Sequence, residues 1–273
     1  PLFLNGVLDQ GYWPDGLYTA PSDEALIYDI QTMKNLGFNM IRKHVKVETA
    51  RWYYHCDRLG MIVWQDMVNG GTYNAPFMTW LPALFPKFKL HTSDRIHPLF
   101  GRKNVHGREE FIRECKETVT ALKAFPCIST WVIFNEGWGQ FDSKKLTALF
   151  RELDDTRLID SASGWFDRRQ GDFKSEHNYF AKQFVTPSDR AFVISEYGGY
   201  TCQVKGHTCS GKTYGYKICS SQEEFQAAYH KLMSEEIDPL KEQGLCGAVY
   251  TQLSDIEDEI NGLITYDREV CKL

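Results

Sequence analysis

Two glutamates carry the chemical argument. Glu136 follows Asn135 at the end of the apolar run 128–134, and Glu196 closes a second run, 191–195. Apolar runs of this length read as buried strands. A glutamate at the C-terminal tip of each is where a parallel barrel displays its reactive groups. Paired carboxylates suit glycoside hydrolysis, in which one protonates the leaving oxygen while the other attacks the anomeric carbon or activates water. The amide of Asn135, beside the first acid, suits a hydrogen bond to a sugar hydroxyl.

The elements that must position this pair alternate along the chain. Strands are expected at 2–8, 39–42, 61–64, 128–136, 158–161, 176–180, 191–196 and 247–251. Helices are expected at 22–36, 48–59, 108–124, 143–153 and 221–242, with none evident between the fifth and sixth strands. Ser22 before Asp23-Glu24, and Ser221 three residues before Glu224, supply N-terminal caps. Eight strands mostly alternating with helices predict an α/β fold, a (β/α)8 TIM barrel. No G-x-G-x-x-G or P-loop sequence follows the first strand, which argues against an open nucleotide-binding sheet. The long segment 68–105 is expected to be functional or a lid.

The chain has 273 residues, 42% of them hydrophobic, enough for one large barrel over residues 1–273. Its net charge of −5 offers no basic footprint for nucleic acid or an anionic membrane. No apolar stretch is long enough to span a bilayer as a helix. None of the eight cysteines forms a C-x-x-C pair. Cys202, Cys209 and Cys219 share a loop with His207, but at spacings too irregular for a standard zinc site. Unpaired thiols favour a cytoplasmic protein. The start at Pro1, without Met, reads as a domain excised from a longer chain.

The motifs around the two glutamates resemble glycoside hydrolase family 2. Asn135-Glu136-Gly137-Trp138 is similar to its acid/base motif, and Ser195-Glu196-Tyr197-Gly198-Gly199 to its nucleophile motif. Leu4-Asn5-Gly6, the stretch 37–42 and the stretch 56–63 resemble its first three strands. The resemblance implies a retaining exo-β-glycosidase, β-galactosidase-like, working by double displacement. Glu196 would be the nucleophile, and Glu136 the acid and then the base. Arg42 would hold the nucleophile ionised, and Tyr179 would hydrogen-bond it. The family implies a carbohydrate substrate, upstream β-sandwich domains as partners, and no cofactor. Asp66 and His177 are candidate sugar contacts at the barrel mouth, and Trp138 and Trp165 candidate sugar platforms. Gly198 and Gly199 would let a ring approach the backbone.

Three departures bear on specificity. His44 is one position out of register with the family histidine. The acidic and histidine metal ligands that follow the third strand in some family members are not matched at 65–70, so no catalytic metal is expected. The stretch 259–263 lacks the lysine of the uronate-binding Asn-x-Lys signature and carries Glu259 instead, which disfavours a glucuronidase. Other readings are a β-mannosidase or other β-glycosidase, a silent carbohydrate-binding barrel, and a carboxylate–histidine metallohydrolase, the last lacking a compact ligand motif.

Overall fold

The computed structural model describes residues 2–84, 92–209 and 211–273. The barrel is built in chain order from β1 (Leu4–Asp9), α1 (Asp23–Asn35), β2 (Met40–Lys43), α2 (Ala50–Leu59) and β3 (Ile62–Asp66). Next come the short α3 (Leu81–Leu84), α4 (Val105–Leu122), β4 (Ile128–Val132), α5 (Ser143–Leu153), β5 (Leu158–Asp160), β6 (Phe173–Asn178) and β7 (Ala191–Gly198). The chain closes with a small strand pair, β8 (Tyr200–Cys202) and β9 (Lys217–Cys219), then α6 (Gln222–Leu232), α7 (Asp238–Lys241) and β10 (Leu245–Thr251).

Eight parallel strands form the sheet in the order β5-β4-β3-β2-β1-β10-β7-β6. β5 and β6 touch across the remaining seam, so the sheet is a nearly closed (β/α)8 TIM barrel. As expected, no helix joins β5 to β6. The expected strand at 158–161 is only three residues long, and the one at 176–180 begins earlier, at Phe173. The expected helix at 221–242 is interrupted by a π-helical turn, Met233–Ile237, before Pro239 at the start of α7. Within 68–105, the described residues include a π-helical turn, Pro76–Trp80, leading into α3; residues 85–91 of that segment lie outside the described set.

Alternation along the strands sorts the core. Val7, Ile41, Val63, Trp131, Ile159 and Ile194 join the outer core of apolar residues that packs strands on helices. Leu8, Met40, Trp64, Val132, Phe173, Val193 and Val249 form a separate apolar plug inside the ring. Residues two further along several of these strands are polar and buried: Arg42, Asp66, Ser175 and Ser195. The plug is therefore the floor on which a polar interior stands.

The helices begin where their caps dictate. Ser22 accepts the Ala25 amide in α1, and Ser221 accepts the Glu224 amide in α6. Glu224 returns its carboxylate to the Ser220 amide at 2.7 Å, one residue earlier than a standard capping box.

On the opposite face of β2 from Arg42, buried Lys43 binds Asp9 and lies 3.2 Å from Glu48, itself 2.7 Å from Lys46. The Lys43 ammonium also lies 4.2 Å from the centre of the Trp52 ring. Burial would raise the Asp9 pKa, but the charge and hydrogen bond of Lys43, joined by the charges of Lys46 and Arg268, together outweigh it and the carboxyl stays below its ordinary value. Removing one partner of such a cluster strands the other charges. Lys43→Met is expected to cost about 3–5 kcal/mol in urea unfolding, against a far smaller loss for an exposed cation such as Lys212→Met.

Candidate active site

The site is assembled at the C-terminal ends of the barrel strands. Arg42 on β2 is fully buried. Its Nε and Nη2 bind the two oxygens of Asp66 on β3, each at 2.9 Å. Nη1 lies 3.0 Å from Glu196 Oε1, and Nη2 donates to Asn135 Oδ1 at 2.8 Å. One planar guanidinium therefore ties together β3, the strand carrying Glu196 and the segment carrying Glu136. Burial would lower its pKa, but Asp66 and Glu196 raise it above the usual range, so it is a permanent cation.

Glu196 lies inside β7 rather than at its tip. The pairing of β7 slips in register on both sides, between Glu176 and His177 on β6 and between Ala248 and Tyr250 on β10. Such irregularities re-aim side chains; here both Ser195 and Glu196 make contacts within the barrel interior. Tyr179 donates its hydroxyl to Glu196 Oε2. The Tyr179 ring stacks on Tyr216 at 3.8 Å and 9°.

Glu136 lies beyond the end of β4. Its backbone has a φ of 54°, the left-handed region, and its amide donates to Ser163 O at 3.0 Å. A non-glycine residue there stores strain held by its surroundings. The side chain keeps 24% exposure at the mouth but is otherwise enclosed. Burial pushes its pKa to about 7, against the opposing charges of His44 and Arg42. Desolvation, rather than the neighbouring carboxylate, therefore keeps this acid protonated near neutrality.

His177 on β6 stands between the two glutamates. Its Nδ1 is 2.9 Å from Glu136 Oε1, and its Nε2 is 3.0 Å from Ser163 Oγ and 3.5 Å from Glu196 Oε1. Burial lowers its pKa to about 3, helped by Arg42 and His44, so the ring is neutral. One ligand atom from each of Glu136, His177 and Glu196 lies within 4.8 Å of the other two. That spacing would bracket a cation, but Arg42 supplies positive charge here, Tyr179 engages Glu196 Oε2 and Ser163 engages His177 Nε2.

Other expected site residues have different surroundings from those anticipated. Asp66 is 2% exposed, and besides Arg42 it engages His44 Nδ1 at 3.1 Å. His177 is as buried, so both act on neighbouring side chains rather than lining the open mouth. Trp165 is buried, its indole lying edge-on to His177. Trp138 is half-exposed, anchored through its indole N–H to Gly71 O at 3.1 Å. The rings that approach the glycine pair belong to the protein: a Cβ on Gly198 would lie 2.4 Å from the Tyr250 ring, and one on Gly199 would lie 2.4 Å from Tyr216.

Several site residues escaped the sequence reading. His44, set aside as out of register, is 17% exposed above Asp66. Burial opposes its charge, but the bond to Asp66 and the Glu196 carboxylate prevail and raise its pKa. Glu259 Oε2 accepts from Gln10 at 2.9 Å and Gln252 at 3.0 Å. Burial raises the Glu259 pKa, and the charges of His44 and Glu196 reach it. Ser163, Ser195 and Tyr216 carried no sequence signal of their own beyond the adjacency of Ser195 to Glu196. The loop thiols assemble no ligand cluster among the described residues: Cys202 and Cys219 are buried on β8 and β9, while His207 binds Asp267 at 2.8 Å.

Residues 19–272 match the model for glycosyl hydrolases family 2, TIM barrel domain. A β-galactosidase of Priestia megaterium is 24% identical over 71% of this chain, and one of Lactococcus lactis is 31% identical over 36%. The matched parts are 17% and 10% of those proteins, so the chain spans only a small share of their length. Among solved structures, a family 2 β-galacturonidase from Eisenbergiella tayi has a TM-score of 0.68 at 16% identity, covering 99% of this chain and 49% of that one. A β-glucuronidase from Parabacteroides merdae has a TM-score of 0.66 at 15% identity, covering 99% and 35%. At such identities the structures speak for the fold.

The raised pKa of Glu136 has a consequence for stability. Between about 4.5 and about 7 the folded chain holds a proton that the unfolded chain has lost, so this group's contribution to stability falls as pH rises through that window. Glu136→Gln removes the group and is expected to gain up to about 3 kcal/mol relative to the parent on going from pH 4 to pH 8. Urea midpoints of both proteins at the two pH values check it.

Proposed function

The chain belongs to glycosyl hydrolase family 2, and from that premise we propose that its barrel is the catalytic domain of a retaining β-glycosidase acting on neutral sugars. The observation that carries the reading is the approach of Glu136 and Glu196 carboxylate oxygens to within 4.8 Å. Retaining enzymes hold their carboxyl groups about 5–5.5 Å apart, whereas inverting ones leave a wider gap for water.

Glu196 is the nucleophile. The Arg42 guanidinium and the Tyr179 hydroxyl stabilise its charge and aim it at the anomeric carbon. Glu136, with a pKa near 7, protonates the departing oxygen and later takes a proton from the attacking water. Asn135, fixed through its carbonyl oxygen by Arg42, keeps its amide N–H groups for a sugar hydroxyl.

The relatives divide between galactosidases and uronidases, and Glu259 favours the neutral sugar. Its charge is felt at His44 and Glu196, and its Oε1 accepts no hydrogen bond among the described residues. A uronate carboxylate entering this pocket meets like charge, whereas hexose hydroxyls find an acceptor in Glu259 and a donor in His44. This supports a β-galactosidase-like specificity, with β-mannosidase as the competing neutral-sugar choice.

The first test incubates the full-length protein with activated 2-fluoro-glycosides of galactose, mannose, glucose and glucuronic acid, followed by intact mass and peptide mapping. A label on Glu196 from a neutral sugar is expected. Labelling from the glucuronide alone would overturn the specificity, and a label on another residue would overturn the assignment of the nucleophile. Glu136→Gln is expected to lower kcat by about 10²–10⁴-fold on substrates with poor leaving groups.

A further inference from the structure

The turn that carries Glu136 has few means of holding its own shape. Glu136, Gly137 and Gly139 have φ of 54°, 72° and 71°, so three of its first four residues are left-handed. Within the turn, Trp138 N donates to Asn135 O at 3.2 Å and Gln140 N to Gly137 O at 3.1 Å. The two glycines reach this conformation without a steric cost, but they also have the most freedom to leave it. The left-handed glutamate between them and Asn135 persists only where its surroundings over-determine it.

Much of that surrounding comes from the two ends of the long segment after β3. Residues 69–72 and 100–102 lie against each other, with Thr72 N donating to Gly101 O at 3.0 Å. Both ends grip the turn. Phe100 O accepts the Gly139 amide at 2.9 Å, Gly71 O accepts the Trp138 indole N–H at 3.1 Å, and Asn69 Nδ2 donates to Trp138 O. A Cβ on Gly139 would overlap Gly70 O and lie 2.5 Å from Asn69 Oδ1, so the approach admits no side chain there.

Arg102 closes the arrangement. It is 8% exposed. Its Nε donates to Gly139 O at 2.9 Å, its Nη2 to Asn69 Oδ1 at 2.8 Å and its Nη1 to Gly107 O, in the first turn of α4, at 3.2 Å. These partners are all neutral oxygens, and among the described residues Arg102 forms no ion pair with a carboxylate. The guanidinium carbon lies 4.8 Å from the centre of the Phe111 ring and 5.6 Å from that of Phe141, which accommodate the charge. Arg102 is not among the charges acting on Glu136. Its influence there is one of direction, through a rigid fork of donors.

We propose that Arg102, acting with Asn69, is a positioning residue for the acid/base: it clamps the 137–140 turn so that the Glu136 carboxyl stays beside His177 and within reach of the departing oxygen. This rests on the acid/base reading of Glu136. The clamp matters in proportion to the leaving group's need for a proton. A poor leaving group departs only as Glu136 protonates it, and a displaced acid fails at that step. A strongly acidic phenol departs as its anion and is indifferent to where the acid stands.

The test measures kcat/KM of the full-length protein on aryl β-glycosides of the sugar that labels Glu196, from 2,4-dinitrophenyl to unsubstituted phenyl. Arg102→Met is expected to lose about 10²-fold on the phenyl glycoside and less than about 3-fold on the dinitrophenyl one. A merely structural role would reduce the share of active enzyme and lower both by one factor, so equal losses, or no loss, overturn the proposal. Arg102→Lys keeps the charge without the fork and should show the same bias; full rescue by lysine overturns the directional role. Asn69→Ala leaves the Arg102 bonds to Gly139 and Gly107 in place, and should show a smaller loss with the same bias if Arg102→Met does not fold.

Glu136→Gln in the same series separates the two readings. If it too loses activity equally on every leaving group, the acid/base reading fails and the clamp fails with it. A bias in Glu136→Gln that is missing from the Arg102 and Asn69 variants sinks the clamp alone. A second measurement needs no turnover. Hydrogen exchange at the amides of 136–140 should quicken by about tenfold or more in Arg102→Met and in Asn69→Ala, while β4 and β7 keep their protection. Unchanged exchange at 136–140, or a rise spread evenly over the barrel, overturns the proposal.

Discussion

The rest of the site depends on the burial of the Arg42 guanidinium. A cation with no access to water must be surrounded by acceptors, and Arg42 is met by Asp66, Glu196, Asn135 and the Ser195 carbonyl. They come from three parts of the barrel: β3, β7 and the segment that follows β4. The planar fork accepts them only in fixed directions, so satisfying the charge also sets the geometry of both reactive carboxylates. A lysine would supply the charge without the directions.

Above the apolar plug, two chemically identical groups have different electrostatic surroundings. Glu196 is embraced by a permanent cation and a phenol, while Glu136 is desolvated and meets a neutral imidazole. The difference lies in which strand each leaves and how. Glu196 stays on an irregularly paired strand between β10 and β6, whereas Glu136 leaves its strand through a left-handed residue and hangs from the Ser163 carbonyl. Of two copies of one side chain, the desolvated Glu136 is thereby the one whose hold on a proton is raised.

The barrel and its two glutamates were legible in the sequence because both rest on local patterns. Apolar runs mark strands, and motif residues adjoin them. Arg42 and Tyr179 were picked out only through the family resemblance of the stretches that carry them. What the sequence hid depends on strands meeting across the ring. Nothing local joins Ser163, Ser175 and Ser195, which come from three different segments and converge only once the sheet has curled. His177 looked like a mouth residue because inward strand ends usually are, but Trp165 covers it. Short β5 was hard to delimit, since three residues show no periodicity. The π-helical turn before α7 followed from Pro239, whose effect on backbone hydrogen bonding carries no hydrophobic signature.

The glycine pair after Glu196 has a consequence for how such a barrel can be varied. Gly198 (φ 81°) and Gly199 (φ 66°) give clearance to Tyr250 and Tyr216, and Tyr216 in turn supports the phenol that holds Glu196. The two positions thus leave room for the ring of Tyr250 on β10 and for that of Tyr216 in the loop before β9. A combinatorial library aimed at new substrates can treat this dipeptide as a fixed joint. Changes in the segment between β8 and Tyr214 must return the ring of Tyr216 to the same place and keep the contact of His207 with Asp267.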